Sequence, residues 1–329
     1  MNVETVAPVS TQAVAGSSGF RKIFIGPNGI RAGWRMVMFL LFVAALGFVV
    51  VQRGLRLIPG AVRVMKLAQS GGVLTPQFDF IFESAFLIVA LLATGIMTRI
   101  EKRPFGAYGM PLREAFGRLF WQGVVWGLAF ETIVMLAICV LRGFSFGTLA
   151  LSSRELATNA LLWAIGMVLV GTFEEFFFRG YALFTLASGL GFWPAAILLS
   201  MIFGAAHLSN PGEGWVGALS VFIFGIFSCF TLRRTGNLWF AIGLHAAGNF
   251  AETFIFSVPD SGMLATGHLL NSSIHGPRWL TGGTIGPEGS AIAFALFVIY
   301  FAAFHWIYPG KKNKPLSETL TYSSVRSAR

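Results

Sequence analysis

Three short polar clusters interrupt long apolar runs, and they hold the side chains in this sequence that could do chemistry. The first is Gly171-Thr-Phe-Glu-Glu-Phe-Phe-Phe-Arg-Gly180, with adjacent carboxylates Glu174 and Glu175. Glu175 and Arg179 are four residues apart, so on a helix they share a face and can pair. Glu174 is rotated from Glu175 by about 100° on a 3.6-residue helix and has no local partner. A carboxylate without a partner in apolar surroundings is a candidate general base or acid near neutral pH. The second cluster is Phe203-Gly-Ala-Ala-His207 and the third is His245-Ala-Ala-Gly-Asn249. His245 and Asn249 face the same way on a helix. The small residues beside both histidines let a neighbouring helix come close.

Two chemistries fit this set. Glu174 can deprotonate a water while His207, His245 and Asn249 orient it or donate to a developing oxyanion. Alternatively, Glu174, His207 and His245 are ligands of the kind that hold zinc, with Asn249 a weaker oxygen donor. Either arrangement supports hydrolysis of an amide. The competing structural reading has both glutamates paired with basic groups on neighbouring helices and each histidine hydrogen-bonded as a packing residue. Other intramembrane hydrolase layouts are missing from the sequence. There is no His-Glu-x-x-His and no Gly-x-Ser-Gly in an apolar run. Asp79 is expected at a helix end and Asp260 in a loop, so no membrane Asp pair is expected. Cys139 and Cys229 read as small buried hydrophobes, with no disulfide framework.

The elements that position these clusters follow from composition. Of the 329 residues, 55% are hydrophobic and 12% charged, about half the charged fraction of a soluble domain. Mean hydropathy is +0.71. An ordinary soluble enzyme, a disulfide-rich module and a disordered chain are thereby excluded, and an all-α polytopic transmembrane bundle is expected. A span needs about 20 mostly apolar residues, and the runs give about eight: 34–51, 78–98, 119–141, 156–187, 193–207, 216–232, 238–256 and 291–308. They are continuously apolar rather than alternating, which excludes a β-barrel. At about 1.5 Å rise per residue, Glu174 lies about 20 Å from the cytosolic end of its helix. His207, Asn249 and His245 fall at about 21, 17 and 11 Å on theirs. The four can therefore meet in one cavity, expected to open toward the cytosolic side.

The expected organisation has five parts. Residues 1–33 form a disordered, basic cytosolic tail, and 34–154 the N-terminal transmembrane helices and loops. Residues 155–257 form the chemistry-bearing core and 258–289 an extramembrane loop holding His268 and His275. Residues 290–329 form the last helix and a basic tail. The stretch 53–69 reads as an interfacial amphipathic helix. The 24 Lys and Arg against 14 Asp and Glu give a net charge of +10. These basic residues sit mainly between apolar runs, where they contact lipid headgroups and set topology; nucleic acid is not an expected partner. Their distribution places both termini in the cytosol by the positive-inside rule. Glu252 continues the His245–Asn249 face at i+7 and reads as a capping or lipid-interface carboxylate.

Taken in order, Glu-Glu-x-x-x-Arg, Phe-x-x-x-His and His-x-x-x-Asn resemble the motifs of the CPBP family. That family comprises the type II CAAX prenyl endopeptidases, the bacterial bacteriocin-processing (Abi) membrane proteases and the lysostaphin-resistance-protein-A-like proteins. The resemblance covers about 156–256, and Glu101-Lys-Arg-Pro-Phe-Gly-Ala-Tyr-Gly109 looks like a loop common upstream in bacterial members. It implies an intramembrane endopeptidase of the bacterial inner membrane, acting on a membrane-associated peptide or protein of CAAX-like or bacteriocin type. It further implies that Glu174 activates water and that Glu175 stands near the site with Arg179 as its ion-pair partner. His207 and His245 would flank the water, Asn249 would help bind the oxyanion, and Phe203 would support the second motif. Zinc and a metal-free route both remain open. The competing class is a non-enzymatic membrane immunity, transport or scaffold protein using its buried Glu and His residues for proton relay or packing. That class does not predict the order of the three motifs, and no paired broken helices or repeat halves are visible.

Overall fold

The computed structural model describes residues 23–26, 29–58, 60–62 and 73–309. Of the tail expected at 1–33, residues 1–22 and 27–28 lie outside the described residues, while Ile25–Gly26 pairs antiparallel with Gly29–Ile30 and a helix begins at Ala32, so that part is ordered. The tail beyond 309 and residues 59 and 63–69 of the expected interfacial helix also lie outside the described residues.

Each expected apolar run forms a helix, and the protein is an all-α polytopic bundle. The helices are α1 (Ala32–Val49), α2 (Pro76–Glu101), α3 (Arg118–Val140) and α4 (Ser153–Glu175). A π-helical segment, Phe176–Ala182, carries α4 directly into α5 (Leu183–Leu190). Then follow α6 (Phe192–His207), α7 (Trp215–Thr235), α8 (Trp239–Phe250, continued by a π-helical segment Ala251–Phe256) and α9 (Ala291–Ile307). Five of these stretches are long and apolar enough to cross a membrane, Ser153–Leu190 counting as one. Helices α6 and α9 are apolar but shorter. The surface left by the bundle is apolar too, with Leu40, Phe48, Val125, Ile202 and Val298 exposed. In water such a surface would aggregate; in lipid it is the outer face.

Local sequence sets the helix ends. Pro76 occupies the first turn of α2, where its missing N–H is harmless, and Thr75 Oγ1 accepts from the Phe78 N–H at 3.2 Å. Helix α4 begins with a capping box, the Ser152 N–H donating to Glu155 Oε2 at 3.1 Å. In α9 the Ser290 hydroxyl accepts from Ala293 N–H at 3.1 Å.

Small residues let the central helices touch backbone to backbone. A Cβ on Gly123 or Gly127 of α3 would collide with the carbonyls of Phe240 or Leu244 of α8, and one on Gly243 with the carbonyl of Phe120. Gly204 lets α6 meet α7 at Ala218 in the same way. Such contacts replace the hydrophobic drive that helices lack in lipid. At one end of the bundle Glu101 ties three elements together. Arg35 of α1 donates to it at 2.8 Å and the Tyr181 hydroxyl of the π segment at 2.5 Å, with the Tyr108 hydroxyl at 3.4 Å.

The segment 257–289 folds back on the other end. Ser273–Ile274 pairs antiparallel with Phe144–Ser145, and Leu264–Ala265 pairs parallel with Val73–Leu74. The Asn210 side-chain amide, in the turn after α6, donates to the Ser261 carbonyl at 2.7 Å. This segment is therefore a built cap on the bundle rather than a detached loop.

Candidate active site

The first motif straddles a change of helix type. α4 ends at Glu175 and the π segment begins at Phe176, with Gly180 far from helical backbone angles (φ −84°, ψ −116°). π segments inside α-helices cluster at functional sites because they redirect side chains. Here the switch leaves Glu175 and Arg179 in contact, Arg179 donating to Glu175 Oε1 at 3.4 Å with both side chains buried. The guanidinium carbon also lies 4.3 Å from the Phe203 ring centroid, which binds α6 to the pair through a cation–π contact. Phe203 thus supports Arg179 as well as its own motif.

His245 of α8 stands between the two adjacent carboxylates. Its Nδ1 is 3.1 Å from Glu175 Oε1, and its Nε2 is 3.5 Å from Glu174 Oε2. Gly171 makes this possible. A Cβ there would sit 3.0 Å from the Ile242 carbonyl oxygen, 3.1 Å from the Ala246 nitrogen and 3.4 Å from His245 Cβ. Glu175 therefore accepts from a guanidinium and an imidazole at one oxygen, while Glu174 is 20% exposed and faces His245 alone of these partners. The second histidine is oriented differently. His207 Nδ1 lies 2.9 Å from the Phe203 carbonyl one turn back. A carbonyl accepts only, so Nδ1 carries the proton and Nε2 is the free acceptor of the neutral ring.

A cavity joins the second and third motifs. Phe203, His207, His245 and Asn249 line it, along with Phe130, Phe224, Phe227 and Phe297. Glu174 does not line it and reaches it through His245. The cavity runs to the end of the bundle where α6 and α8 finish, since Asp260, Ser261 and Glu288 of the cap complete its wall. Helix α7 runs back from that end, so its basic terminus, Arg233 and Arg234, lies at the opposite one. The cavity therefore lies at the end away from these basic residues, not at the basic, cytosolic end expected from the sequence. The tilt of the site toward the cap follows from His207 being the last residue of α6.

Several residues take places that sequence reasoning did not give them. Glu252 is neither a cap nor a lipid-interface group; it is 4% exposed and lines the cavity. Glu131 of α3, Asp260 and Glu288 also line it, and none was singled out beforehand as part of the site. Burial pushes the Asp260 carboxyl up to about 6, against the opposing effect of a hydrogen bond from the Thr253 hydroxyl at 3.0 Å. Burial likewise holds Glu288 well above the usual carboxylate range. His268 and His275 stay in the cap and do not line the cavity. The free Cys139 and Cys229 take no part in it either.

A shared zinc ion would need donor atoms from Glu174, His207 and His245 close enough to touch one metal. Among the described residues, the three carboxylates Glu252, Asp260 and Glu288 meet that condition, with donor atoms within 4.8 Å of one another, and the Glu174, His207 and His245 set does not. Both nitrogens of His245 already face carboxylates. The first-named set, as it stands, does not fit a shared ion.

Comparison with known proteins places the motif-bearing helices. Residues 156–251 match the family described as Type II CAAX prenyl endopeptidase Rce1-like, so the chain carries an Rce1-like segment in its core. Lysostaphin resistance protein A of Staphylococcus haemolyticus (strain JCSC1435) is 29% identical over 135 residues. That alignment covers 38% of this chain and 37% of the relative. The resemblance drawn from the three motifs is thus borne out over the core.

Proposed function

We propose that this integral membrane protein is an intramembrane endopeptidase, hydrolysing a peptide bond of a membrane-associated substrate with water activated by Glu174. The Rce1-like core supports the enzyme class. The observation that carries the residue roles is His245 held between Glu174 and Glu175 above a cavity shared with His207 and Asn249.

Glu174 takes a proton from a water that the free Nε2 of His207 holds in place, while His245 spans the two carboxylates. The resulting hydroxide attacks the carbonyl carbon. The side-chain amide of Asn249 donates to the oxyanion, a role His207 cannot fill while its only N–H is spent on the Phe203 carbonyl. Glu174 then returns the proton to the departing nitrogen, and the C–N bond breaks to give an acid and an amine. Glu175 is a positioning residue. Paired with Arg179, it is the fixed anion that holds the imidazole by Nδ1. The phenylalanine walls of the cavity suit an apolar stretch of substrate. No step in this route passes through a metal. The bacterial inner membrane, with both termini cytosolic, is the location that the charge distribution supports.

The test is Glu174→Gln. Gln keeps the shape of Glu but cannot take a proton at neutral pH, so turnover should fall at least about 10²-fold while the protein still folds. New peptide termini in membranes of cells expressing wild type, compared by mass spectrometry with cells expressing Glu174→Gln, identify the substrate. The purified proteins in detergent then give the rates. Unchanged termini and retained turnover in a stable Glu174→Gln protein would hand the site to the non-enzymatic reading, a proton relay or packing device.

A further inference from the structure

The floor of the cavity holds a group of carboxylates for which peptide hydrolysis has no use. Glu252 comes from the π segment after α8, Asp260 and Glu288 come from the cap, and the three offer oxygens within 4.8 Å of one another. Glu131 reaches in from α3. It is 6% exposed, lines the same cavity as Glu252, and its Oε2 has no partner. Glu252 Oε1 and Glu288 Oε2 are also buried without a partner. Two further oxygens of the group accept hydrogen bonds. The Ser261 N–H donates to Glu288 Oε1 at 2.7 Å, and the Thr253 hydroxyl to Asp260 Oδ2 at 3.0 Å. Among the described residues no Lys or Arg pairs with any of the four.

Buried carboxylates are stable when paired or when they coordinate a metal. Two buried and two half-buried carboxylates, from three separate stretches of chain and with three of their oxygens left unpartnered, form a ligand set without a basic partner. All the donors are hard oxygens, the choice of calcium and magnesium; zinc sites in proteins usually include nitrogen or sulfur donors beside any carboxylate. We propose that Glu131, Glu252, Asp260 and Glu288 bind one hard divalent cation, calcium or magnesium, which fastens the cap segment 257–289 to α3 and α8 at the end of the cavity. These carboxylates share the cavity with His207 and His245 but take no part in the proposed hydrolysis, so the cation test does not depend on the peptidase reading. Its effect is structural: the cation closes the cap end of the cavity by joining two cap carboxylates to two helix carboxylates.

The experiment uses the full chain purified in detergent, stripped with EDTA and dialysed. Thermal unfolding and titration calorimetry are followed with calcium chloride, magnesium chloride, zinc chloride and, at matched ionic strength, sodium chloride. Calcium or magnesium should bind one ion per chain and raise Tm by about 4 °C at ~100 times the dissociation constant. Zinc should bind more weakly, and sodium should give no saturable change. In Glu252→Gln/Glu288→Gln the cation response should vanish. The variant should fold without the ion, because removing two charges relieves the repulsion that the ion offsets. If that variant is not recovered, protection of the 257–289 segment from protease by cation in wild type takes its place. A carboxyl cluster that only shares protons would give no saturable heat, no Tm shift and no protection with calcium or magnesium. That result overturns the proposal, as does a variant that responds like wild type or a site that takes zinc alone.

Discussion

The Nδ1 atom of His245 sits 3.1 Å from Oε1 of Glu175, the same oxygen that Arg179 approaches at 3.4 Å. One buried carboxylate thus joins a charge pair inside its own helical segment to the imidazole of another helix. An anion fixed in this way orients the ring and leaves Nε2 turned to Glu174. It also couples the integrity of α4 to the placement of the chemistry, and this coupling can be measured.

Arg179→Ala should destabilise the protein by about 3–5 kcal/mol, because it strands the Glu175 charge in the interior. Low yield and a depressed Tm are the readouts. The double variant Arg179→Ala/Glu175→Gln should recover part of the loss, since no uncompensated charge remains. Additive losses in the double variant would mean that the two side chains do not act as a pair.

Asn249→Ala should lower kcat by about 10²–10³-fold with little change in Tm. The side chain is half-buried at the cavity wall and makes no hydrogen bond that the fold depends on. A large drop in Tm with kcat preserved would reassign Asn249 to packing.

Gly171→Leu should push α4 away from α8 and separate His245 from both glutamates. Overpacking of this kind costs about 1–3 kcal/mol, and turnover should fall with it. Gly95→Ala is the control, because a Cβ at that position meets nothing within 4 Å. Equal behaviour of the two variants would remove the close approach of α4 and α8 from the account of the site.

A zinc-selective chelator, with calcium and magnesium supplied, should leave turnover unchanged, as expected of a carboxylate acting on water without a metal. Activity lost to the chelator and restored by zinc would show that Glu174, His207 and His245 rearrange around an ion. Glu174→Gln and Asn249→Ala would then need rereading as changes to a metal site.

The bundle was legible in the sequence because a membrane imposes one dominant rule. Every backbone polar group at that depth must be satisfied within the segment, so length and continuous apolar character mark the helices. Each of the eight runs became a helix within a few residues of its expected ends. The Glu175–Arg179 pair was legible for a similar reason, as four-residue spacing on a helix is a local property. The order of the three motifs likewise sufficed to find the core that the family comparison matches.

What the sequence could not determine depends on residues far apart along the chain. That His245 falls between Glu174 and Glu175, rather than beside one of them, is decided by how closely Gly171 lets two backbones approach. The π segment at Phe176–Ala182 left no periodic trace, and its one hint was Gly180. The carboxylate group at the end of the cavity was missed for the same kind of reason. Glu131, Glu252 and the pair Asp260 and Glu288 stand on three stretches with no shared spacing, and Asp260 looked like a loop residue. Apolar periodicity reports which face of a segment is buried, whereas the partner of a buried polar group is chosen only when distant segments pack. Helices, spans and motif order were therefore written in the sequence, while the direction of the cavity and the company kept by its carboxylates were set by tertiary packing.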